Sequence, residues 1–436
     1  MILNPFNKNI ALLLGLCFIY MMLFYFITNY QLKLDYYSFY YAAQALLNGD
    51  NPYEVLIAKN LSTLPKIPVN LNPPIVLALF TPLSELNVYL SISFWFFSSI
   101  IMGLMSMILA CRLLFSSSFL KKHRLSFCLV YLALFSTLMN AWIVQIAAVL
   151  GLGIIGGYYL YQQGRYKLAA IVWGIIIALK IFPGLLFFYV LRHKHYKMLG
   201  IMAMTVCVMW LIPIAAFGMD AYRNYLTMLP RVLWYGNSWN ASIYGFFFRL
   251  LVDVHHPDNI ILVQCLTGLI CIGCIGWYLK KIYSIKLADN KNHQSFCLTV
   301  VVMLLISPLG WMYYFSILLI PILVTWSQIT LTETSKSRII LWLFCVFLLN
   351  FPVDCIQTQM VKTLDKVTIC SFYFYGLLLL NYLVSTINIT KAATHNDDFE
   401  GSPSHDLILP IGVILGFGIL LLSMSFIWRI MSTTPI

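Results

Sequence analysis

The sequence predicts an all-α polytopic membrane protein: a single integral-membrane domain over residues 1–436. Three observations carry this. Hydrophobic residues make up 61% of the chain and charged ones 10%, whereas a soluble domain has about a quarter of its residues charged. Apolar runs of about 20 residues, the length that spans a bilayer, recur along the whole chain. Lys and Arg fall in short clusters between those runs. That clustering assigns the net charge of +12 to the positive-inside pattern rather than to nucleic-acid binding.

The runs follow in order. The first, Ile10 to Thr28, is too long for a signal-peptide core and lacks a small-residue cleavage site, so it reads as a mature helix. Spans are expected at 9–29, 87–115, 125–140, 143–161, 198–217, 259–279, 368–387 and 407–428. Shorter ones are expected at 295–307, 310–327 and 338–351. Together with the broken pieces below, they make a bundle of about 11–13 transmembrane or re-entrant helices. The basic clusters around Arg112–Arg124, Arg165/Lys167, Arg192–Lys197, Lys280–Lys291 and Lys336/Arg338 are assigned to the cytoplasm. Residues 31–72 then form a long first external loop, 218–258 a second, and 388–406 a polar cytoplasmic linker.

Two segments break the alternation. Residues 168–191 have basic clusters on both sides and contain Phe182-Pro183-Gly184, a helix breaker. They read as two short helices that enter and leave on the cytoplasmic side, with Lys180 near the turn. Residues 73–85 open on Pro73-Pro74, carry Pro82 and are too short to span, which predicts an interfacial or re-entrant helix. Broken helices at membrane depth persist only where protein or a wet cavity surrounds them, so both segments point toward a site.

The first external loop holds the most chemistry. Tyr36, Tyr40, Ala43 and Leu47 share one helical stripe, which predicts an amphipathic surface helix over 36–47. Gly49 is placed to cap its C-terminus, and Asn51-Pro52 starts a turn. Asp35 stands at the helix N-terminus, where a cap worth about 1 kcal/mol is the simplest reading. Lys180, ionisable within an apolar run, is either functional or snorkels to an interface. The second loop sets Arg223, Arg231 and Arg249 among aromatics and polar residues including Trp239 and Asn240. Arginine's planar fork suits phosphate oxygens; ordinary headgroup contacts, or pairing with Asp220 and Asp253, would use the same residues. No metal and no cofactor are expected. The eleven cysteines lack ligand spacing, and Cys271 and Cys274, a CxxC in an apolar run, read as packing residues. His255 and His256 have no third ligand nearby, and no DxD motif is present.

The order of these blocks resembles glycosyltransferase family 87. The carrying residues are Asp35…Tyr40-Tyr41-Ala42-Ala43…Leu47…Gly49…Asn51-Pro52-Tyr53, then Asn72-Pro73-Pro74 and Pro82-Leu83. They continue with Leu179-Lys180-Ile181-Phe182-Pro183, Asn240-x-Ser242-x-x-Gly245-x-x-x-Arg249 and Ser307-Pro308-Leu309-Gly310-Trp311. The resemblance runs from about residue 30 to 327 and implies the GT-C fold. It also implies transfer of one sugar from a polyprenyl-phosphate sugar donor to a lipid or glycan acceptor on the non-cytoplasmic face, inverting and metal-independent. Characterised relatives are mannosyl- and arabinofuranosyltransferases.

Under that resemblance Asp35 becomes the general base rather than a cap. Arg249, Lys180 and Arg231 become donor-phosphate ligands. Tyr40, Tyr53, Gln145, Trp239, Asn240 and Trp311 become sugar or acceptor contacts. The chain departs from the family pattern at Met312-Tyr313-Tyr314, where a His is common, and around Gln145, the residue retained from a Gly-Gln-x-Asn block. The sugar is therefore not carried over. The expected partners are the donor, the acceptor and membrane lipids, with no nucleic acid, in a bacterial inner membrane. A flippase of lipid-linked sugars and a non-catalytic GT-C relative are the alternatives.

Overall fold

A computed structural model describes residues 5–29, 35–53, 70–229, 234–252, 259–285, 293–331, 336–353, 363–386, 412–421 and 423–424. Among them the secondary structure is helical, with no β-strand. The helices are α1 (Pro5–Asn29), α2 (Asp35–Leu47), α3 (Pro74–Ser84), α4 (Val88–Leu114), α5 (Ser117–Ala133) and α6 (Phe135–Ile143). Next come α7 (Ala147–Gln162), α8 (Tyr166–Leu179), α9 (Leu186–Arg192), α10 (Tyr196–Phe217), α11 (Asp220–Met228) and α12 (Ile243–Leu251). The last are α13 (Ile260–Ser284), α14 (Gln294–Ile306), α15 (Leu319–Leu331), α16 (Lys336–Asn350), α17 (Thr363–Val367) and α18 (Phe372–Thr386). Six helices among the described residues are long and apolar enough to cross a membrane. The linker 388–406 lies outside the described residues, and of the run 407–428 the structure describes a helix over Gly412–Leu421.

The chain divides into two compact units. The first comprises Met1–Leu109 and Leu138–Val232; the second comprises Ala110–Thr137 and Leu233–Ile436.

In the first unit α2 lies against α3. It is more deeply seated than a one-stripe surface helix. Tyr36, Ser38, Phe39, Tyr40, Ala42, Ala43, Ala45 and Leu46 are all buried, while Leu47, the last residue of the stripe, is exposed. The cause is a row of polar side chains one turn apart that grip the α3–α4 turn. The hydroxyls of Tyr36 and Ser91 share a hydrogen bond, Tyr40 donates to the Leu86 carbonyl at 2.7 Å, and Gln44 donates to the Ser84 carbonyl at 3.0 Å. Phe80 fills the seam, 5.8 Å from the Tyr36 ring and 5.1 Å from Phe39. At the far end Gly49 takes φ +74°. The Gly49 N–H reaches the Leu46 carbonyl and the Asp50 N–H reaches that of Ala45. This is the left-handed cap that the sequence predicted at Gly49.

The 168–191 segment forms a hairpin. Pro183 would collide with the carbonyl four residues back, so α8 stops at Leu179. Lys180 is extended (φ −146°, ψ 127°), and a short 3₁₀ turn, Phe182–Leu185, starts the return. The two ends come back to one place. Tyr166, at the start of α8, packs at a tilt against His195 with ring centroids 4.4 Å apart. His195 lies 6.5 Å from His193, just past α9. Midway, Trp173 on α8 meets Tyr189 on α9. With a 1.5 Å rise per residue, α8 reaches about 21 Å, short of the roughly 30 Å hydrocarbon core. Lys180 therefore stands at the tip of the hairpin, about 21 Å from its open end.

Two helices, α5 and α6, replace the single span expected at 125–140 and are bent by 59° to each other. No Pro or Gly marks this break. Its cause is remote: the Asn350 side chain accepts the Phe135 N–H at 2.6 Å and caps α6 at its first residue. The span expected at 310–327 opens as a 3₁₀ turn, Met312–Leu318, before α15.

Candidate functional site

The site in the first unit is built from three segments that are far apart in sequence. Asp35 is the first residue of α2, and its Oδ2 accepts a hydrogen bond from Gln145 Nε2 at 2.6 Å. Lys180, at the hairpin tip, acts on the same carboxylate through its charge. Asp35 and Lys180 are both half-buried. Removal of water around Asp35 raises its pKa above the ordinary carboxylate value, while the Gln145 hydrogen bond and the Lys180 charge pull it back down. A carboxylate raised in this way is a stronger proton acceptor than one in water, provided the ambient pH keeps it ionised. Among the described residues the side chain turns outward to Gln145 rather than back onto its own helix as a cap. The Asp35 carbonyl accepts from Ser38 Oγ at 2.7 Å.

Gln145 sits in the break between α6 and α7 and is held on every polar atom. Its Oε1 accepts the Ile146 N–H at 3.1 Å, its carbonyl accepts Trp95 Nε1 at 3.3 Å, and its own N–H donates to the Asn140 carbonyl. Because Oε1 already accepts a backbone N–H, the amide has one sensible orientation, with Nε2 toward Asp35. The preceding residue, Val144, has φ +55°. A β-branched side chain in the left-handed region costs about 1–3 kcal/mol and persists only where the surroundings over-determine it.

The other expected contacts in this unit are fastened to the protein itself. The Tyr40 hydroxyl is on Leu86. Tyr53 is buried, donates to the Asn72 carbonyl at 2.9 Å and packs its ring 5.5 Å from that of Tyr225. Beside it Asn72 leans on Asn70 through both its N–H and its amide.

In the second unit, the two blocks that hold Asn240 and Trp311 clasp each other. Asn240 pairs with Trp311 in an isolated antiparallel bridge. The Ala241 N–H donates to the Gly310 carbonyl and the Met312 N–H to that of Trp239. The Asn240 amide is fully engaged. Its Nδ2 donates to the carbonyls of Tyr235 and Pro308, both at 2.9 Å. Its Oδ1 accepts the N–H groups of Ser242 and Gly310. Two donors and two acceptor positions exhaust a carboxamide, so this one has nothing left for a sugar. Ser242 caps α12 by accepting the Gly245 N–H at 2.9 Å. Gly245 has to be glycine because a Cβ there would lie 2.5 Å from the Asn240 side chain.

Arg249 completes the clasp. It is buried, and its guanidinium donates to the carbonyls of Gly236, Asn237 and Asn240, most closely at 2.7 Å to Asn237. Burial pulls its pKa down to about 10, so it remains a cation at neutral pH. Among the described residues its Nε has no hydrogen-bond partner. Trp311 is buried with its ring stacked on Tyr313 at 5.9 Å, and Trp239 is half-exposed. Arg231 lies outside the described residues. Arg223 pairs with Asp220 at 2.9 Å on the surface.

Of the residues singled out from sequence, Asp35, Gln145 and Lys180 thus come together in one unit, and Trp239, Asn240, Arg249 and Trp311 in the other. Sequence reading missed Trp95 and Val144. A Trp in an apolar helix reads as an interfacial anchor, and no residue type announces that a valine will be left-handed.

No curated protein and no solved structure matches the chain. The model of glycosyltransferase family 87 matches residues 70–308, more than half of the 436. The match takes in Gln145, Lys180, Asn240 and Arg249; Asp35, Tyr40, Tyr53 and Trp311 lie outside it. A helical membrane chain with that match belongs to glycosyltransferase family 87 and is a membrane glycosyltransferase.

Proposed function

We propose that the protein moves one sugar from a polyprenyl-phosphate donor to a hydroxyl of a lipid or glycan acceptor on the non-cytoplasmic face, with inversion and without a metal. The observation that carries this is the meeting of the Asp35 carboxylate with Gln145 and Lys180 in a half-buried site. Asp35 takes the proton of the acceptor hydroxyl as that oxygen bonds to the anomeric carbon. The bond from the anomeric carbon to the phosphate oxygen breaks, and its electron pair leaves on the phosphate. The donor phosphodiester carries one negative charge and the released polyprenyl phosphate carries two, so the transition state builds charge on the leaving oxygen. A preorganised cation in a poorly hydrated site lowers the barrier to that change. Lys180 is a cation whose charge acts on the proposed base. Arg249 and Arg231 are further candidates for holding the donor phosphate, with Trp239 and Trp311 as surfaces for a sugar ring or prenyl chain.

The test uses full-length protein in membranes supplied with a panel of polyprenyl-phosphate sugars, transfer being followed by mass spectrometry. Wild-type protein is expected to transfer from one of them and Asp35→Asn from none. An Asp35→Asn protein that melts like wild type and turns over at its rate removes the base assignment. Movement of the intact donor across the bilayer without a new glycosidic product points to a flippase instead.

A further inference from the structure

We infer that Gln145 is a positioning residue for Asp35, and that the Asn140–Ile146 turn with Trp95 exists to aim its amide. This deepens the proposed function and rests on Asp35 being the base. Gln145 Oε1 accepts the Ile146 N–H, which fixes the amide plane, and Nε2 gives one of its two N–H groups to Asp35 at 2.6 Å. The backbone of the same residue is tied on both sides, by Trp95 Nε1 and by the Asn140 carbonyl. The left-handed Val144 beside it makes the turn tight enough for this. Backbone strain kept next to a tied side chain marks a geometry that surrounding contacts hold in place. The amide leaves Oδ1 of the carboxylate for the acceptor hydroxyl and fixes the plane in which that oxygen lies. Lys180 is the charged side chain that acts on Asp35 from the elements packed around it.

The experiment compares wild type, Gln145→Glu, Gln145→Ala and Asp35→Asn, as full-length protein in nanodiscs. Each is assayed from pH 5 to 9 on the polyprenyl-phosphate sugar that the wild type uses. Glu keeps the size of Gln145 and an acceptor for Ile146, so it serves as the variant expected to fold. Thermal melting checks both Gln145 variants. The Gln145 hydrogen bond favours the ionised carboxylate, so its loss raises the Asp35 pKa, and a second carboxylate raises it further. Gln145→Ala is expected to lower kcat on the order of 10- to 100-fold with KM for the donor nearly unchanged. Its acidic limb should move to higher pH. Gln145→Glu should move that limb further, by roughly one unit or more, and regain activity at high pH. An infrared titration of the Asp35 carboxyl band, identified by its loss in Asp35→Asn, should show the same upward order. A raised KM with kcat and the acidic limb unmoved makes Gln145 a substrate ligand and overturns the proposal. If Asp35→Asn is inactive but neither Gln145 variant moves the limb or the band, positioning alone fails. If Asp35→Asn retains wild-type turnover, the base reading fails and the positioning role falls with it.

Discussion

The Asp35 cluster and the Asn240–Trp311 clasp are built from similar residues and differ in what those residues touch. In the first, a carboxylate meets an amide and feels a lysine through its charge, so side chains answer side chains. In the second, an asparagine and an arginine grip backbone carbonyls and N–H groups, and the amide is saturated. Side-chain pairs in a half-buried site retain capacity for a third party, whereas side chains saturated by backbone hold a loop in shape. Under the proposed function, the polar residues of these motifs sort into those that act and those that build, and their hydrogen-bond partners differ accordingly.

Four substitutions press on that contrast, from the largest effect to the smallest. Asp35→Asn is isosteric and keeps a hydrogen bond to Gln145 within reach, so it should melt like wild type and lose on the order of 10³-fold in transfer rate. Asn240→Ala should do the reverse. It leaves the Tyr235 carbonyl and the N–H groups of Ser242 and Gly310 without their Asn240 partner, and leaves the Pro308 carbonyl with Ser242 Oγ at 3.4 Å, at about 3 kcal/mol in total, seen as a lower melting temperature in detergent. Lys180→Met should cost about 10²-fold in rate if the lysine meets the developing phosphate charge. Because the Lys180 charge lowers the Asp35 pKa, its removal raises that pKa, and the deficit should grow as pH falls. A rate loss equal at every pH would separate the two roles. Ser242→Ala removes the α12 cap and should cost about 1 kcal/mol of stability with little change in catalysis. An activity loss in Ser242→Ala larger than its stability loss would break the contrast, because a builder would then be acting.

Much of this was legible beforehand, for identifiable reasons. Apolar runs mark the spans because lipid imposes a length. Gly49 marks a helix end because a left-handed residue favours glycine. Phe182-Pro183 marks the hairpin because proline ends a helix by sterics alone. What was hidden depends on distant partners. The bend at Leu134 comes from Asn350, far along the chain, with no local signal. Asn240 looks like a sugar ligand by residue type, and only its four partners reveal a keystone. The buried depth of α2 follows from hydrogen bonds to the α3–α4 turn, which helical periodicity cannot foresee.

The hairpin has a consequence for how the protein is made. A lysine charge removed from water without a counter-ion is costly, and domains assemble from the N-terminus as the chain emerges. Asp35, then Gln145, then Lys180 is the order of synthesis. The carboxylate and its amide guide therefore precede the charge that needs them, and the hairpin can be driven home by a counter-ion already waiting. Asp35→Asn is therefore expected to lower the yield of inserted protein, while the fraction that inserts melts like wild type.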